Sequence, residues 1–480
     1  MATTKMALVE RVLTALYARQ PHVKVAVAAT GGGTSAAELL FRSGSSSTML
    51  QYSVPYARAS LQNFLDEPKD LAADYTPRAV LTQFCAPETS ERMAVAAWKQ
   101  AQGILRAESE QDDPVHAHSL SATLDRFRFS MGIACTAALA TNYEKKGLHH
   151  CFLSVCTATS FSQEQLQGAE KSTLQQRCET YHLNLSKTLK RTRNEEDHIV
   201  SHWLVYVLAK AANVDPEGTA ALRDALLAEQ HDGDSFAVVT AGGYSPIDPL
   251  EELCAGSTAA LTSVAFLPLT SNDKSNVTIA KDLGFRGVVL SGSFNPLHQG
   301  HVDLVCAAQR IVQDRFGREL PIAFELAVAN ADKGTIASST VRQRVEQFVG
   351  ARSSFGIWPV LVTNATLFSQ KASVLKGCAF VIGADTAVRI VDKKYYDNDE
   401  HKMVLTLQQI ARNECFFVVA GRMDDKVTNR FISADEVLAT SIPAVFKHLF
   451  VPLNESAFRS DISSTQIRNQ QLKQEQQQQN

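Results

Sequence analysis

Ser291-Gly-Ser-Phe-Asn-Pro-Leu-His298-Gln-Gly300-His301 decides how this 480-residue chain is read. Before it stands Val288-Val-Leu290, short and apolar as a buried strand is. Behind it, residues 299–316 carry Val302, Leu304, Val305, Ala308, Ile311 and Val312 at helical spacing. The stretch therefore reads as a strand-to-helix turn with small residues at its start. Two histidines, three positions apart, share a face of the first helical turn.

That arrangement suits phosphate chemistry. Gly292 and Ser293 let the backbone approach a phosphate closely, and the helix start turns free N–H groups and a positive dipole end toward it. Gly292, Ser293, Phe294 and Gly300 are the candidate nucleotide-binding residues of the turn. His298 and His301 are the candidate catalytic pair, donating hydrogen bonds as charge builds on a bridging oxygen. A second segment, Asp461-Ile-Ser463-Ser464-Thr465-Gln-Ile-Arg468, lies near the C-terminus. Ser463, Ser464 and Thr465 offer a helix cap and phosphate donors. Arg468, one turn on, offers a planar fork for the β- and γ-phosphates.

Strand and helix patterns alternate around the turn. Strands are predicted over 322–328, 358–362, 379–382 and 415–420, and a helix over 341–349 capped by Ser338 or Ser339. This pattern implies an α/β fold, a Rossmann-like parallel sheet with helices on both faces, and a ligand beyond the carboxyl ends of the strands. The N-terminal half also mixes the two patterns. A helix is predicted over 1–19, strands over 23–28, 126–133 and 151–158, and long helices over 173–194 and 198–212. Gly31-Gly32-Gly33 breaks the first strand. The expected domains are 1–215, a connecting subdomain 216–283, a catalytic domain 284–470, and a disordered Gln-rich tail 471–480.

Composition bounds the rest. The chain is 45% hydrophobic and 20% charged with a net charge of -3, so no basic footprint for nucleic acid is expected. No apolar run approaches the ~18 residues of a membrane span. Nine scattered cysteines without a C-x-x-C pair fit reduced thiols. A cytoplasmic protein is expected, with the nucleus as the alternative compartment.

The two segments together resemble the paired signatures of the HxGH nucleotidylyltransferases. Phe324-Glu-Leu-Ala-Val-Ala-Asn330-Ala-Asp332-Lys333 and Phe380-Val-Ile-Gly383-Ala-Asp385-Thr386-Ala-Val-Arg389-Ile resemble the nicotinamide or nicotinate mononucleotide adenylyltransferases. Lys393-Lys394-Tyr395-Tyr396 looks like a fungal-type branch of that group. The resemblance implies transfer of AMP from ATP to a mononucleotide phosphate in NAD biosynthesis, with magnesium as the ATP-borne cofactor and no dedicated protein cage for it. It implies that Gly383 and Asp385 hold the ATP ribose and base region and that Lys333 meets a phosphate or the mononucleotide. Trp358 is either a stacking surface for the mononucleotide or a core residue. The alternatives are CTP or another phosphate acceptor, or a nucleotide-binding scaffold without turnover.

The N-terminal half resembles the CinA C-terminal family, some of which are nicotinamide-nucleotide amidases. Val25-Ala-Val-Ala-Ala-Thr30-Gly-Gly32-Gly33, Gly44-Ser-Ser, Tyr56 and Gly132-Ile-Ala134 carry the resemblance. The family's serine nucleophile falls on Ala29 and its lysine on Leu61, and neither can do amide chemistry. The expectation is an inert fold, with a retained pocket or homo-oligomer formation left to it. Arg191, Arg193, Glu195, Glu196 and Asp197 read as a solvated charged face, with an anion site as the alternative.

Overall fold

The computed structural model describes residues 2–65, 83–114, 116–166, 169–240, 248–256, 261–271, 274–317, 319–330, 334–349, 355–424, 430–459 and 467–468. The C-terminal half is built on parallel strands. Val288–Ser291 pairs with Ile322–Ala327, which pairs with Val360–Thr363. The chain then returns to the other side of Val288–Ser291 and adds Ala379–Gly383, Phe416–Ala420 and Phe450–Leu453 in turn. These strands are apolar on both faces, because helices cover both. Strand order reverses between Val288–Ser291 and Ala379–Gly383, which opens a crevice at their carboxyl ends.

The sheet does not stop at this domain. The hairpin Ser263–Ser271/Lys274–Lys281 pairs antiparallel with Val360–Thr363 on one side and parallel with Ala169–Leu185 on the other. Beyond that strand follow His149–Leu166, Ser130–Ala138, Lys24–Thr30 and Met49–Ser53, giving one fourteen-stranded mixed sheet among the described residues. The described elements within 216–283 are therefore divided between the two halves of the sheet and its flanking helices. The helix Pro216–Ala228 packs on Ala2–Ala18 and Arg193–Ala211, and Ser235–Thr240 pairs with Ala169–Leu185. The later part, ending in the hairpin, pairs with Val360–Thr363 of the C-terminal half.

Two N-terminal segments differ from their sequence reading. The stretch expected as a helix over 173–194 is largely the strand Ala169–Leu185. Leu174, Gln175, Gln176 and Glu179 favour a helix, but pairing with His149–Leu166 from Leu185 down to Ala169 overrides that weak preference. The segment 126–133 divides: the helix Leu120–Phe129, begun by Ser119 accepting the Ala122 N–H at 3.2 Å, runs into the strand Ser130–Ala138. Phe127 stays helical because its ring meets Trp98 edge-on at 4.9 Å.

The charged run divides: Arg193 and Glu195 are exposed, while Glu196 and Asp197 are buried in a clamp. Glu196 is fully buried and accepts from the Ala140 N–H at 2.6 Å and pairs with His149 at 2.7 Å. Asp197 accepts the Ser35 N–H and hydroxyl at 2.8 and 2.6 Å, and Arg193 donates to the Gly31 carbonyl at 2.8 Å. The glycine loop after Lys24–Thr30 is thus pinned on both sides.

One apolar cluster crosses the molecule, joining Trp98 and Phe127 to Phe285, Phe380 and Phe417. Gly132 lets the helix Pro87–Asp112 sit directly on the sheet there: a Cβ would meet the Ala94 carbonyl oxygen at 2.1 Å and the Trp98 nitrogen at 2.3 Å. Both are backbone atoms that cannot swing aside. Gly132→Val should therefore lower unfolding free energy by about 3 kcal/mol, the upper range for overpacking, read as a lower denaturant midpoint. An unchanged midpoint would contradict this packing.

Candidate active site

The signature turn starts where Val288–Ser291 ends. The Gly292 N–H donates to the Glu325 carbonyl at 3.0 Å, extending the sheet by one bond. The chain then reverses at Phe294, whose φ of 42° is in the left-handed region. That turn drives the Phe294 ring inward, 2% exposed, against Phe324 and Phe348 at 5.3 Å each. Phe294 is thus a core anchor for the loop, a correction to its expected place along a nucleotide. Gln347 holds the next residues from the helix Ser338–Val349: it accepts the Leu297 N–H at 2.8 Å and donates to the Phe294 carbonyl at 3.1 Å.

The helix Gln299–Phe316 starts at His298, where a serine or aspartate cap is commoner. The His298 backbone N–H donates to His301 Nδ1 at 3.3 Å, and the two rings stack at 3.7 Å. A nitrogen that accepts cannot carry the proton, so neutral His301 holds its hydrogen on Nε2, ready to donate. His298 is 8% exposed, and its Nδ1 is buried with no partner among the described residues. Burial, followed by the adjacent His298 ring, lowers His301 to a pKa of about 4, and burial lowers His298 as well. Both are neutral donors near neutral pH.

This depression carries a sign. Between the ordinary 6.5 and about 4, the unfolded chain binds the His301 proton and the folded chain does not. Stability therefore falls as pH drops through that window and is insensitive to this group above it. NMR titration of the His301 ring should give a midpoint near 4 without nucleotide and a higher one with ATP bound. A nucleotide-free midpoint near 6.5 would contradict the buried geometry.

A cavity of about 370 Å3 opens at the crevice. Its wall takes Ser291, Gly292 and Ser293 from the end of the first strand, and Gly383 and Thr386 from the end of Ala379–Gly383 and its following helix. Arg344 and Lys371 complete it. The Ser291 hydroxyl is buried there with no partner among the described residues. Asp385 lies in the first turn of Ala384–Ile390, directly after Gly383. Gly300 is buried at the head of Gln299–Phe316. The two histidines are not part of the cavity wall; they stack beside it at the helix start. Arg468 donates to the Asn295 carbonyl, in the middle of the signature turn. Burial, then the charge of Arg468, lowers the Arg344 pKa.

Trp358 is not brought to this cavity. It precedes Val360–Thr363 at that strand's amino end, donates to the Phe355 carbonyl at 2.7 Å and packs edge-on against Phe324 at 6.0 Å. Trp358 is half-buried and packs against the apolar cluster there. Lys333, Ser463, Ser464, Thr465 and the tail 471–480 lie outside the described residues.

Sequence reasoning missed the residues under the cavity. Glu325, fully buried in Ile322–Ala327, accepts from the Thr363 hydroxyl at 2.7 Å and pairs with Lys371 at 2.5 Å. A lone carboxylate inside an otherwise apolar strand was the available signal. Arg344, Gln347 and Lys371 sit on helices whose sequences carry no pattern that separates them from ordinary surface residues.

Residues 289–470 match the cytidylyltransferase-like family model. The fold is thus a mixed, mostly parallel α/β sheet whose C-terminal half is Rossmann-like and similar to cytidylyltransferase-like domains, and the match supports nucleotidyltransferase activity in general. A solved structure of a competence-damaged protein (CinA) superfamily protein from Klebsiella pneumoniae is similar over 47% of this chain and 98% of that chain, at 12% identity and a TM-score of 0.23. No curated protein matches the chain. Among the described residues, no helix is long and apolar enough to cross a membrane.

Proposed function

We propose that the C-terminal half transfers AMP from magnesium–ATP to the phosphate of nicotinamide or nicotinate mononucleotide. An acceptor phosphate oxygen attacks the α-phosphorus, the bond from that phosphorus to the β-bridging oxygen breaks, and pyrophosphate leaves with the electron pair. The product is the dinucleotide. Such a reaction asks the protein for positioning and charge neutralisation more than for covalent help.

The observation that supports this reading most is Arg468 on the Asn295 carbonyl. It brings the tail arginine to the loop that carries His298 and His301, with Arg344 beside it. Triphosphate lying over Ser291–Ser293 would meet Nε2–H donors as charge builds on the leaving oxygen, and two guanidinium forks on the β- and γ-phosphates. Lys371 would add its charge from the cavity wall. Magnesium is treated as part of the substrate. The carboxylate beneath the cavity, Glu325, is already engaged by Thr363 and Lys371.

Purified chain given ATP, magnesium and nicotinamide mononucleotide should release pyrophosphate and form the dinucleotide. Pyrophosphate with CTP and another phosphate acceptor would favour the second reading, which the cytidylyltransferase-like match supports. ATP binding without pyrophosphate from any acceptor would make the chain a nucleotide-binding scaffold.

For the N-terminal half the proposal is an inert amidase fold. Ala29 is fully buried and Leu61 is 1% exposed, each closed into the core where a nucleophile and a lysine would be needed. Ammonia release from nicotinamide mononucleotide would overturn it.

A further inference from the structure

A second, larger cavity lies away from the phosphate turn, at the seam between the halves. It measures about 450 Å3 and is walled by the helices Pro87–Asp112 and Leu120–Phe129, the end of the hairpin, and the residues around 373–376. An adjoining space of about 740 Å3 shares Lys99, Gln176 and Lys376 with it. Both fall within the size range of roughly 300–1,000 Å3 typical of small-molecule sites.

Its chemistry is one-sided. Lys99, Arg106, Arg126 and Lys376 all reach the wall, and its carboxylate, Asp282, is already held by the Thr262 hydroxyl at 2.8 Å and the Ser263 N–H at 3.0 Å. Arg126 is fixed in place, donating to the Ala117 carbonyl at 2.7 Å and the Thr123 hydroxyl at 3.2 Å. Burial, then repulsion from Arg106, lowers its pKa, and an anion between the two would relieve that repulsion. The Gln102 amide nitrogen is buried with no partner among the described residues. The wall also takes in the apolar Leu261, Leu283, Val374 and Trp98. Gly103 faces open space: no atom lies within 4 Å of where its Cβ would be.

We propose that this seam cavity binds a phosphate-bearing nucleotide, its phosphate between Arg106 and Arg126 and its base against the apolar wall. A bare anion would leave that wall uncovered, and an apolar ligand would leave the Arg106 and Arg126 guanidinium groups repelling each other at the wall. The site touches both halves at once. The short helix Phe368–Val374 lies between the two cavities, with Lys371 on the transferase cavity and Ser373 and Val374 on the seam. The inference does not depend on which acceptor the transferase site uses.

Calorimetric titration of AMP into the full chain tests it, comparing wild type with Gly103→Leu and Arg106→Glu. Gly103→Leu fills the cavity from a helix interior where leucine is a better helix former than glycine, so the thermal midpoint should not fall. Wild type should bind one more AMP per chain than either variant. Equal stoichiometry and affinity in all three proteins would overturn the proposal. Inorganic phosphate should displace the seam AMP only at concentrations at least ten-fold higher; displacement at equal concentrations would remove the nucleotide from the assignment.

Discussion

His301→Ala is expected to lower kcat for pyrophosphate release by roughly 10³-fold, the scale for losing one preorganised donor to a developing oxyanion, while the unfolding midpoint moves little. The geometry gives the reason for the asymmetry. His301 makes one 3.3 Å hydrogen bond to the His298 backbone and edge contacts with Phe294. The loop remains held without it, by Gln347 on Leu297 and Phe294 and by the buried Phe294 ring. Its Nε2–H is the part that cannot be replaced. His301→Gln keeps an N–H donor of similar reach and should recover part of the rate. Equal kcat in His301→Ala and wild type, at saturating substrates, would remove the imidazole pair from the mechanism.

Lys371→Ala should be the most damaging single change to stability in the catalytic half. It leaves the Glu325 carboxylate, fully buried, without its 2.5 Å ammonium partner. Breaking a buried pair from one side costs about 3–5 kcal/mol, because the remaining charge is uncompensated. The paired change Glu325→Gln with Lys371→Met removes both charges and keeps an acceptor for the Thr363 hydroxyl, so most stability should return. Turnover should not return with it, since the wall of the phosphate cavity has lost a cation. Denaturant midpoints and pyrophosphate rates on the three proteins separate the two roles. Recovery of both properties in the paired variant would make Lys371 purely structural.

The parts legible in the sequence are those specified locally. The helix Gln299–Phe316 follows from its apolar spacing, and the strands around it from short apolar runs set between helices. The histidine turn and Arg468 stood out because chemistry restricts those residues in that order. What stayed hidden is set by long-range pairing. Nothing local in Gln175-Gln-Arg-Cys shows that it pairs with Cys156 to Thr159 across a long hairpin, so helix propensity misled there. Trp358 likewise reads equally well as a ligand platform or a core residue until the strand direction puts it at the amino end, against Phe324. Arg344 and Lys371 become site residues only when the strand order reverses beside Val288–Ser291 and brings their helices to one crevice.

The convergence of the histidine turn and Arg468 on one polyphosphate is most directly tested by calorimetric affinities of ATP and AMP for wild type and Arg468→Gln. Removing one charged fork from the β- and γ-phosphates should weaken ATP by roughly 10- to 100-fold, the equivalent of about 1.5–3 kcal/mol, and leave AMP unchanged. Equal losses for both nucleotides, or none for either, would contradict it.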